Sequence, residues 1–350
     1  MGLRIGVFGA GGVGGYVGGR LALAGEDVTL IGQWPEHVDC IKREGLRLGG
    51  TEIEQVARPV ALHLHEVQSL ARHPLDIVFL CVKSYDTPWA TMMTAPCLSP
   101  RGFIVSMQNG MNEECIAGLV GWERTMGVVL STIGVNAIAP GQVIRTTEAA
   151  KEAHAVFRVG EVHGRITQRV TELVRLLQCA DSAAATTNLW GERWSKLVTN
   201  SISHGLSAAT GLTSRKLLEA GFLRRIITRL AAEGVQVGQA LGHSLVAIYG
   251  ALPEAWTAAA RGDQSSASEI DRRLKERLAR VTSRERPSVA QDLVRGRRTE
   301  IDYTNGLIVS KARMLGITAP VQETILAIVR RIERGDLAPS PATIAGSPEG

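Results

Sequence analysis

Leu3-Arg4-Ile5-Gly6-Val7-Phe8-Gly9-Ala10-Gly11-Gly12-Val13-Gly14 runs from a short apolar segment straight into glycines. Such a run, bounded by residues that favour turns, reads as a buried strand entering a tight turn. Apolar residues then recur at helical spacing from Val13 to Ala24, Gly25-Glu26-Asp27 breaks the pattern, and Val28-Thr29-Leu30-Ile31 reads as a second strand. Strand, helix and strand within about 30 residues is the span that a helical crossover between parallel strands requires.

Gly9, Gly11 and Gly14, with Ala10, Gly12 and Val13 between them, fill the pattern G-x-G-x-x-G. Each glycine has its own mechanical role. Gly9 allows the tight turn, Gly11 lets backbone approach a pyrophosphate, and Gly14 lets the helix pack closely on the strand. The anion then rests on unpaired N–H groups at the helix N-terminus. A glycine-rich turn without a ligand is the plainer alternative. The position after a strand and at the opening of a helix favours a dinucleotide site. An acid after the second strand would mark NAD and an arginine NADP; this chain has Gly32-Gln33-Trp34, which is neither.

Outward from this unit, residues 77–82, 103–107 and 125–130 read as further buried strands. Strands alternating with helices indicate a Rossmann-type doubly wound parallel sheet, an α/β fold. Residues 142–146 and 155–159 are β-like and read as a hairpin closing this domain. From Thr167 the periodicity is helical, in blocks at 167–179, 187–209, 214–242, 268–283, 288–295, 300–315 and 320–334. The expected organisation is a dinucleotide-binding domain at 1–166, an all-α domain for substrate and dimerisation at 167–335, and a disordered tail at 336–350.

Composition agrees with two globular domains. The 350 residues are 45% hydrophobic with a net charge of only +5, which excludes general disorder. The 39 basic and 34 acidic residues are interspersed, so nucleic acid is not an expected partner. Five cysteines without a C-x-x-C pair argue against a disulfide framework or a zinc site and fit a reducing cytoplasm. No apolar run is long enough to span a bilayer, and no leader is recognisable, so a membrane is not expected either. Cys81 falls inside a strand and reads as core, and His63 and His65 lack further ligands at metal spacing.

Two segments of the helical half carry chemistry. In Trp194-Ser195-Lys196-Leu197-Val198-Thr199-Asn200-Ser201-Ile202-Ser203-His204, the residues Lys196, Asn200 and His204 fall at i, i+4 and i+8, on one helix face. A solvated surface lysine is the plain alternative. In the second segment Gly296 ends one helix and Thr299 can cap the next, with Asp302 placed as in a capping box. Glu300 then lies in a first helical turn, where the dipole favours its ionised form. That these acids only cap a helix is the competing reading.

These features together resemble the 2-dehydropantoate 2-reductase (ketopantoate reductase) family from Leu3 to about Ile332. The resemblance rests on the Gly9–Gly14 loop, Cys81-Val82-Lys83-Ser84, Gln108-Asn109-Gly110, Trp194-Ser195-Lys196-Leu197 with Asn200, and Ser288 twelve residues before Glu300. It implies NADPH-dependent reduction of a small 2-keto acid to the D-2-hydroxy acid between two domains, a reaction of pantothenate biosynthesis, in a cytoplasmic homodimer. The lysine matching Lys196 is then the general acid, and the glutamate matching Glu300 binds the substrate hydroxyl and sets the lysine. Asn200 and Ser288 match residues that hold substrate polar groups, and Lys83 and Asn109 match positions close to cofactor and substrate. Gln33 stands where members that prefer NADP often carry Arg. His204 and Ser214 stand where many carry Asn, in the substrate pocket. The stretch 245–270 is longer than the family usually shows. An NAD-dependent D-2-hydroxyacid (D-mandelate-type) dehydrogenase and a non-catalytic nucleotide sensor are the alternatives. Retention of both Lys196 and Glu300 speaks against the sensor.

Overall fold

A computed structural model describes residues 2–131, 133–148, 155–279, 281 and 287–345. The chain folds as two compact units, Met1–Leu189 and Trp190–Gly350. The first unit carries the strands β1 (Arg4–Phe8), β2 (Asp27–Gly32), β3 (Leu46–Gly50), β4 (Gln55–Ala57), β5 (Val60–His63) and β6 (Leu75–Leu80). They are followed by β7 (Leu98–Ser106), β8 (Thr125–Leu130), β9 (Val135–Ala139), β10 (Gln142–Arg145), β11 (Phe157–Glu161) and β12 (Ala183–Ala185). Its helices are α1 (Gly12–Leu23), α2 (Pro35–Glu44), α3 (Thr87–Thr94), α4 (Glu113–Val120) and α5 (Gln168–Leu177).

The main sheet has the order β12-β11-β8-β7-β6-β1-β2-β5, and β1 pairs in parallel with both β2 and β6. Its strands are near-continuous apolar runs because both faces are covered. Alternate residues point to opposite sides: Val7, Leu30 and Phe79 join one core with α1, α2 and α5, while Phe8, Ile31 and Leu80 join another with α3 and α4. The α/β architecture expected from the glycine-loop region is therefore the one observed. A smaller sheet, β4-β3-β10-β9, packs beside α1.

Two boundaries differ from expectation. The segments read as one hairpin lie in different sheets: β10 pairs with β3 and β9, whereas β11 runs antiparallel to β8 and parallel to β12. Local alternation marks a strand but does not choose its partner, and Phe157 and Val159 are buried in the main core. The helical periodicity at 167–179 is α5, whose Val170, Leu173, Leu176 and Leu177 complete that same core. The first unit accordingly runs to Leu189 rather than to residue 166.

The second unit is helical: α6 (Leu189–Thr210), α7 (Ser214–Glu219), α8 (Arg224–Ala240), α9 (Pro253–Ala260), α10 (Gln264–Leu278), α11 (Ser288–Val294), α12 (Asn305–Met314), α13 (Pro320–Glu333) and α14 (Pro341–Ala345). Its centre is α8, which packs on α9, α12 and α13. Helix α9 lies outside the blocks of helical periodicity; Pro253 opens it and its Trp256 is fully buried. The C-terminal segment is docked as far as residue 345 rather than disordered from 336, because Ile344 is buried and the Ser340 N–H donates to the Ala209 carbonyl at 3.0 Å. Residues 346–350 of the expected tail lie outside the described residues. No helix among the described residues is long and apolar enough to cross a membrane.

Candidate active site

In the first unit, the sequence-predicted residues collect at the carboxyl ends of adjacent parallel strands. Gly9–Gly14 follows β1, Lys83 follows β6 and Asn109 follows β7, in a sheet where these three strands are neighbours. The strand ends are joined by Cys81 N–H donating to the Phe8 carbonyl at 2.8 Å and Met107 N–H donating to the Leu80 carbonyl at 3.0 Å. The chain winds outward from β1 through β2 to β5 and then crosses back to β6, so this is the switch point where open α/β sheets bind ligands.

The glycines divide the work as the motif requires. Gly9 has φ +100°, and a Cβ on it would lie 2.8 Å from backbone atoms at Cys81 and Val82. A Cβ on Gly14 would lie 2.1 Å from the Gly9 carbonyl oxygen, and one on Gly12 2.5 Å from the Val135 carbonyl oxygen. Gly11 alone in the loop faces open space, with no atom within 4 Å of an added Cβ. Gly11 is also the N-cap of α1 and offers no side chain to its first N–H groups. Ala10 is buried and its N–H donates to the Ile31 carbonyl at 3.3 Å, while Val13 is partly buried against the core. An open face above uncapped N–H groups fits a dinucleotide pyrophosphate.

A polar scaffold fixes the loops beside it. The Gln108 amide donates to the Val82 carbonyl at 3.0 Å and to Thr87 Oγ1 at 2.8 Å. Ser84 Oγ and the Asn112 amide both donate to the Asn109 carbonyl, at 2.9 and 2.7 Å. Burial pushes the Cys81 thiol up to about 12, which suits core rather than reaction. Gln33 is exposed just after β2; of the two cations on α2 that could stand in for an arginine there, Lys42 is held by Glu66 at 2.6 Å and Arg43 lies 3.5 Å from Glu44.

In the second unit, α6 carries Lys196, Asn200 and His204. Asn200 is buried, and Lys196 and His204 are partly so. Lys196 is not a solvated lysine: burial, reinforced by the charge of Arg193 and opposed by that of Glu300, holds its ammonium at about 7. Arg193 is 1% exposed and Glu300 3% exposed. Glu300 makes no side-chain cap to the short turn it precedes, and Asp302 pairs outward with Arg330 at 2.6 Å instead of closing a capping box. Thr299 does accept from the Ile301 N–H, at 3.2 Å. The structure thus brings Lys196 and Glu300 within electrostatic reach across about a hundred residues of sequence.

Ser288 opens α11, and its Oγ is buried without a hydrogen-bond partner among the described residues. Ser214 opens α7 and makes no side-chain hydrogen bond among the described residues, and nothing joins it to Lys196. Two residues escaped the sequence reading. Arg193 could have been found from its i−3 spacing to Lys196. Tyr249 could not: its φ of +50° is rare for a bulky residue, and its hydroxyl donates to the Thr199 carbonyl of α6 at 3.3 Å. The described residues contain no group of three or more potential metal ligands.

Family models match both parts of the chain. The ketopantoate reductase PanE/ApbA model covers residues 5–154, and the model of the C-terminal part of the same family covers residues 188–333. The 2-dehydropantoate 2-reductase of Archaeoglobus fulgidus is 29% identical over 334 residues, 95% of this chain and 98% of that protein. That of Mesorhizobium japonicum is 27% identical over 360 residues, covering 95% and 99%. Among solved structures, a PanE/ApbA family ketopantoate reductase from Ralstonia eutropha is 28% identical, with a TM-score of 0.77 over 95% of this chain and 99% of that one. A D-mandelate dehydrogenase solved with NADH and anilino(oxo)acetate shares the fold at 20% identity, with a TM-score of 0.78 over 95% and 99%.

Proposed function

The chain belongs to the ketopantoate reductase family of NAD(P)-dependent oxidoreductases acting on CH–OH groups, and from that premise we propose that it reduces 2-dehydropantoate, or a similar 2-keto acid, to the D-2-hydroxy acid with NADPH. The observation that carries this reading is partly buried Lys196, whose ammonium is brought to about 7 by loss of water and the Arg193 charge, against the opposing charge of Glu300. A reduced nicotinamide supplies the hydride. Charge then develops on the keto oxygen, where a cation able to release a proton stabilises it and completes the alcohol. Lys196 does both, and a general acid is most useful when its pKa lies near the working pH.

Glu300 accepts the hydroxyl of the substrate and keeps Lys196 from losing its proton altogether. Asn200 and the Ser288 hydroxyl hold the substrate carboxylate, with His204 and Ser214 shaping the pocket. Gly9, Gly11 and Gly14 hold the pyrophosphate, and Lys83 and Asn109 line the nicotinamide end. A cytoplasmic homodimer belongs to the same reading. A second reading, an NAD-dependent D-2-hydroxyacid dehydrogenase, is favoured by exposed Gln33 and by Lys42 being engaged with Glu66. Turnover at the nicotinamide absorbance band, with ketopantoate and straight, branched and aromatic 2-keto acids and with both cofactors, tests them. Highest kcat/KM for ketopantoate with NADPH supports the first reading, and aromatic acids with NADH the second. No turnover of any 2-keto acid overturns both.

A further inference from the structure

Lys196 and Glu300 sit on separate segments, so their pairing depends on whatever fixes one segment against the other. The side of α6 turned away from Lys196 carries Val198, Ser201 and Gly205. There a closed set of buried amides joins four elements. Asn305, fully buried at the start of α12, donates from Nδ2 to the Ser201 main-chain carbonyl at 3.0 Å and to Gln322 Oε1 at 2.8 Å. Gln322 donates from Nε2 to Ser201 Oγ at 3.1 Å and to the Leu230 carbonyl of α8 at 2.9 Å. The first residues of α13 are held in turn by Glu233, which accepts from the Val321 and Gln322 N–H groups at 3.1 and 2.9 Å. Gly205 makes room for this arrangement: a Cβ there would lie 2.8 Å from Asn305 Oδ1 and 3.0 Å from Nδ2.

Asn305 is also continuous with the turn that bears Glu300. Thr304 Oγ1 donates to the Glu300 carbonyl at 3.2 Å and lies 3.4 Å from Asn305 Oδ1. On its far side the same turn is tied to α13 by Glu333 accepting the Thr299 N–H at 2.8 Å and by the Asp302–Arg330 ion pair. We propose that Asn305 is a positioning residue for the reduction: its amide fastens the Glu300 turn to the Ser201 carbonyl of the Lys196 helix and so sets the Glu300–Lys196 pair. This rests on reading Lys196 and Glu300 as acting together. Buried, hydrogen-bonded amide networks specify one arrangement because any other leaves more of their polar groups unpaired. Asn305 itself touches neither substrate nor cofactor in this role.

The test is a cycle read on the cofactor-free chain. The pH midpoint for acylation of Lys196 by acetic anhydride is followed by mass spectrometry in wild type, Glu300→Gln, Asn305→Ala and the double variant. Because the Glu300 charge raises the affinity of Lys196 for its proton, Glu300→Gln lowers the midpoint in the wild-type background. In the Asn305→Ala background that shift falls below half its size. Ile325→Ala, which removes an apolar neighbour of the same Gly205 site, leaves the shift intact. In the matching kinetic cycle, Asn305→Ala lowers kcat/KM for the keto acid in the wild-type background but adds nothing to Glu300→Gln. If Asn305→Ala does not fold, Gly205→Ala displaces the amide while keeping it in the chain and takes its place. An equal Glu300→Gln shift in both backgrounds, or an equal loss in the Ile325→Ala background, overturns the positioning role. No Glu300→Gln shift even in wild type overturns the Lys196–Glu300 pairing itself, and the positioning role with it.

Discussion

The glycine loop of the first unit and the Lys196 face of the second do their work by opposite means. The loop works through backbone and missing side chains: φ +100° at Gly9, an open face at Gly11, and helix against strand at Gly14. All of it lies within six consecutive residues. The Lys196 face rests on side chains: burial lowers the lysine's proton affinity, and the charges of Arg193, one turn away on the same helix, and Glu300, about a hundred residues on, pull it in opposite directions. A site made of backbone is robust in electrostatics and fragile in sterics. A site made of buried charges is the reverse.

Five substitutions test that contrast. The largest expected effect is Lys196→Ala, which lowers kcat by about 10²–10⁴-fold, the usual contribution of a placed general acid, with dinucleotide affinity unchanged. Steady-state kinetics together with binding by nicotinamide fluorescence measure both halves; unchanged turnover in a folded variant contradicts the assignment. Next, Gly14→Ala forces a methyl against the Gly9 carbonyl, destabilising by about 3 kcal/mol and outweighing the ~1 kcal/mol that alanine gains in a helix interior. Gly11→Ala, by contrast, changes stability by about 1 kcal/mol or less while weakening dinucleotide binding by more than that, since its methyl projects into the ligand's space. Thermal melts paired with binding isotherms separate the two glycines, and equal melting losses would show that the contrast is misplaced.

Gln33→Arg comes third. A guanidinium beside the ribose 2′ position favours NADPH over NADH by about 1.5–3 kcal/mol, the range for charge-assisted hydrogen bonds. The ratio of the two kcat/KM values reads this directly, and an unchanged ratio removes Gln33 from the cofactor site. The smallest effect concerns pH. Lys196 must be protonated to act as acid, so keto-acid reduction declines as pH rises through about 7, and oxidation of the hydroxy acid gains over the same interval. Arg193 lowers the lysine's proton affinity, so Arg193→Met moves both midpoints upward and raises reduction at pH 8 by roughly a few-fold. A downward movement would mean that Arg193 acts on Lys196 through packing rather than charge.

What the sequence alone determined was what depends on near neighbours. Periodicity of two and of 3.6 placed β1, α1 and β2, and three glycines at fixed offsets located the tight turn between β1 and α1. The i, i+4 spacing put Lys196 and Asn200 on one face of α6. Each is a relation among residues a few positions apart, so it survives without knowledge of the fold. The partner of a strand is not such a relation, and β10 and β11 read as a hairpin although they belong to different sheets. Neither is the owner of an amphipathic helix: α5 has an apolar face that any core could bury, and only assembly gave it to the sheet. The same limit holds at the site. A lysine's proton affinity is set by the water it loses and by the charges that surround it. For Lys196 those are contributed by Glu300 as well as by Arg193, and the sum exists only once tertiary structure has brought them together.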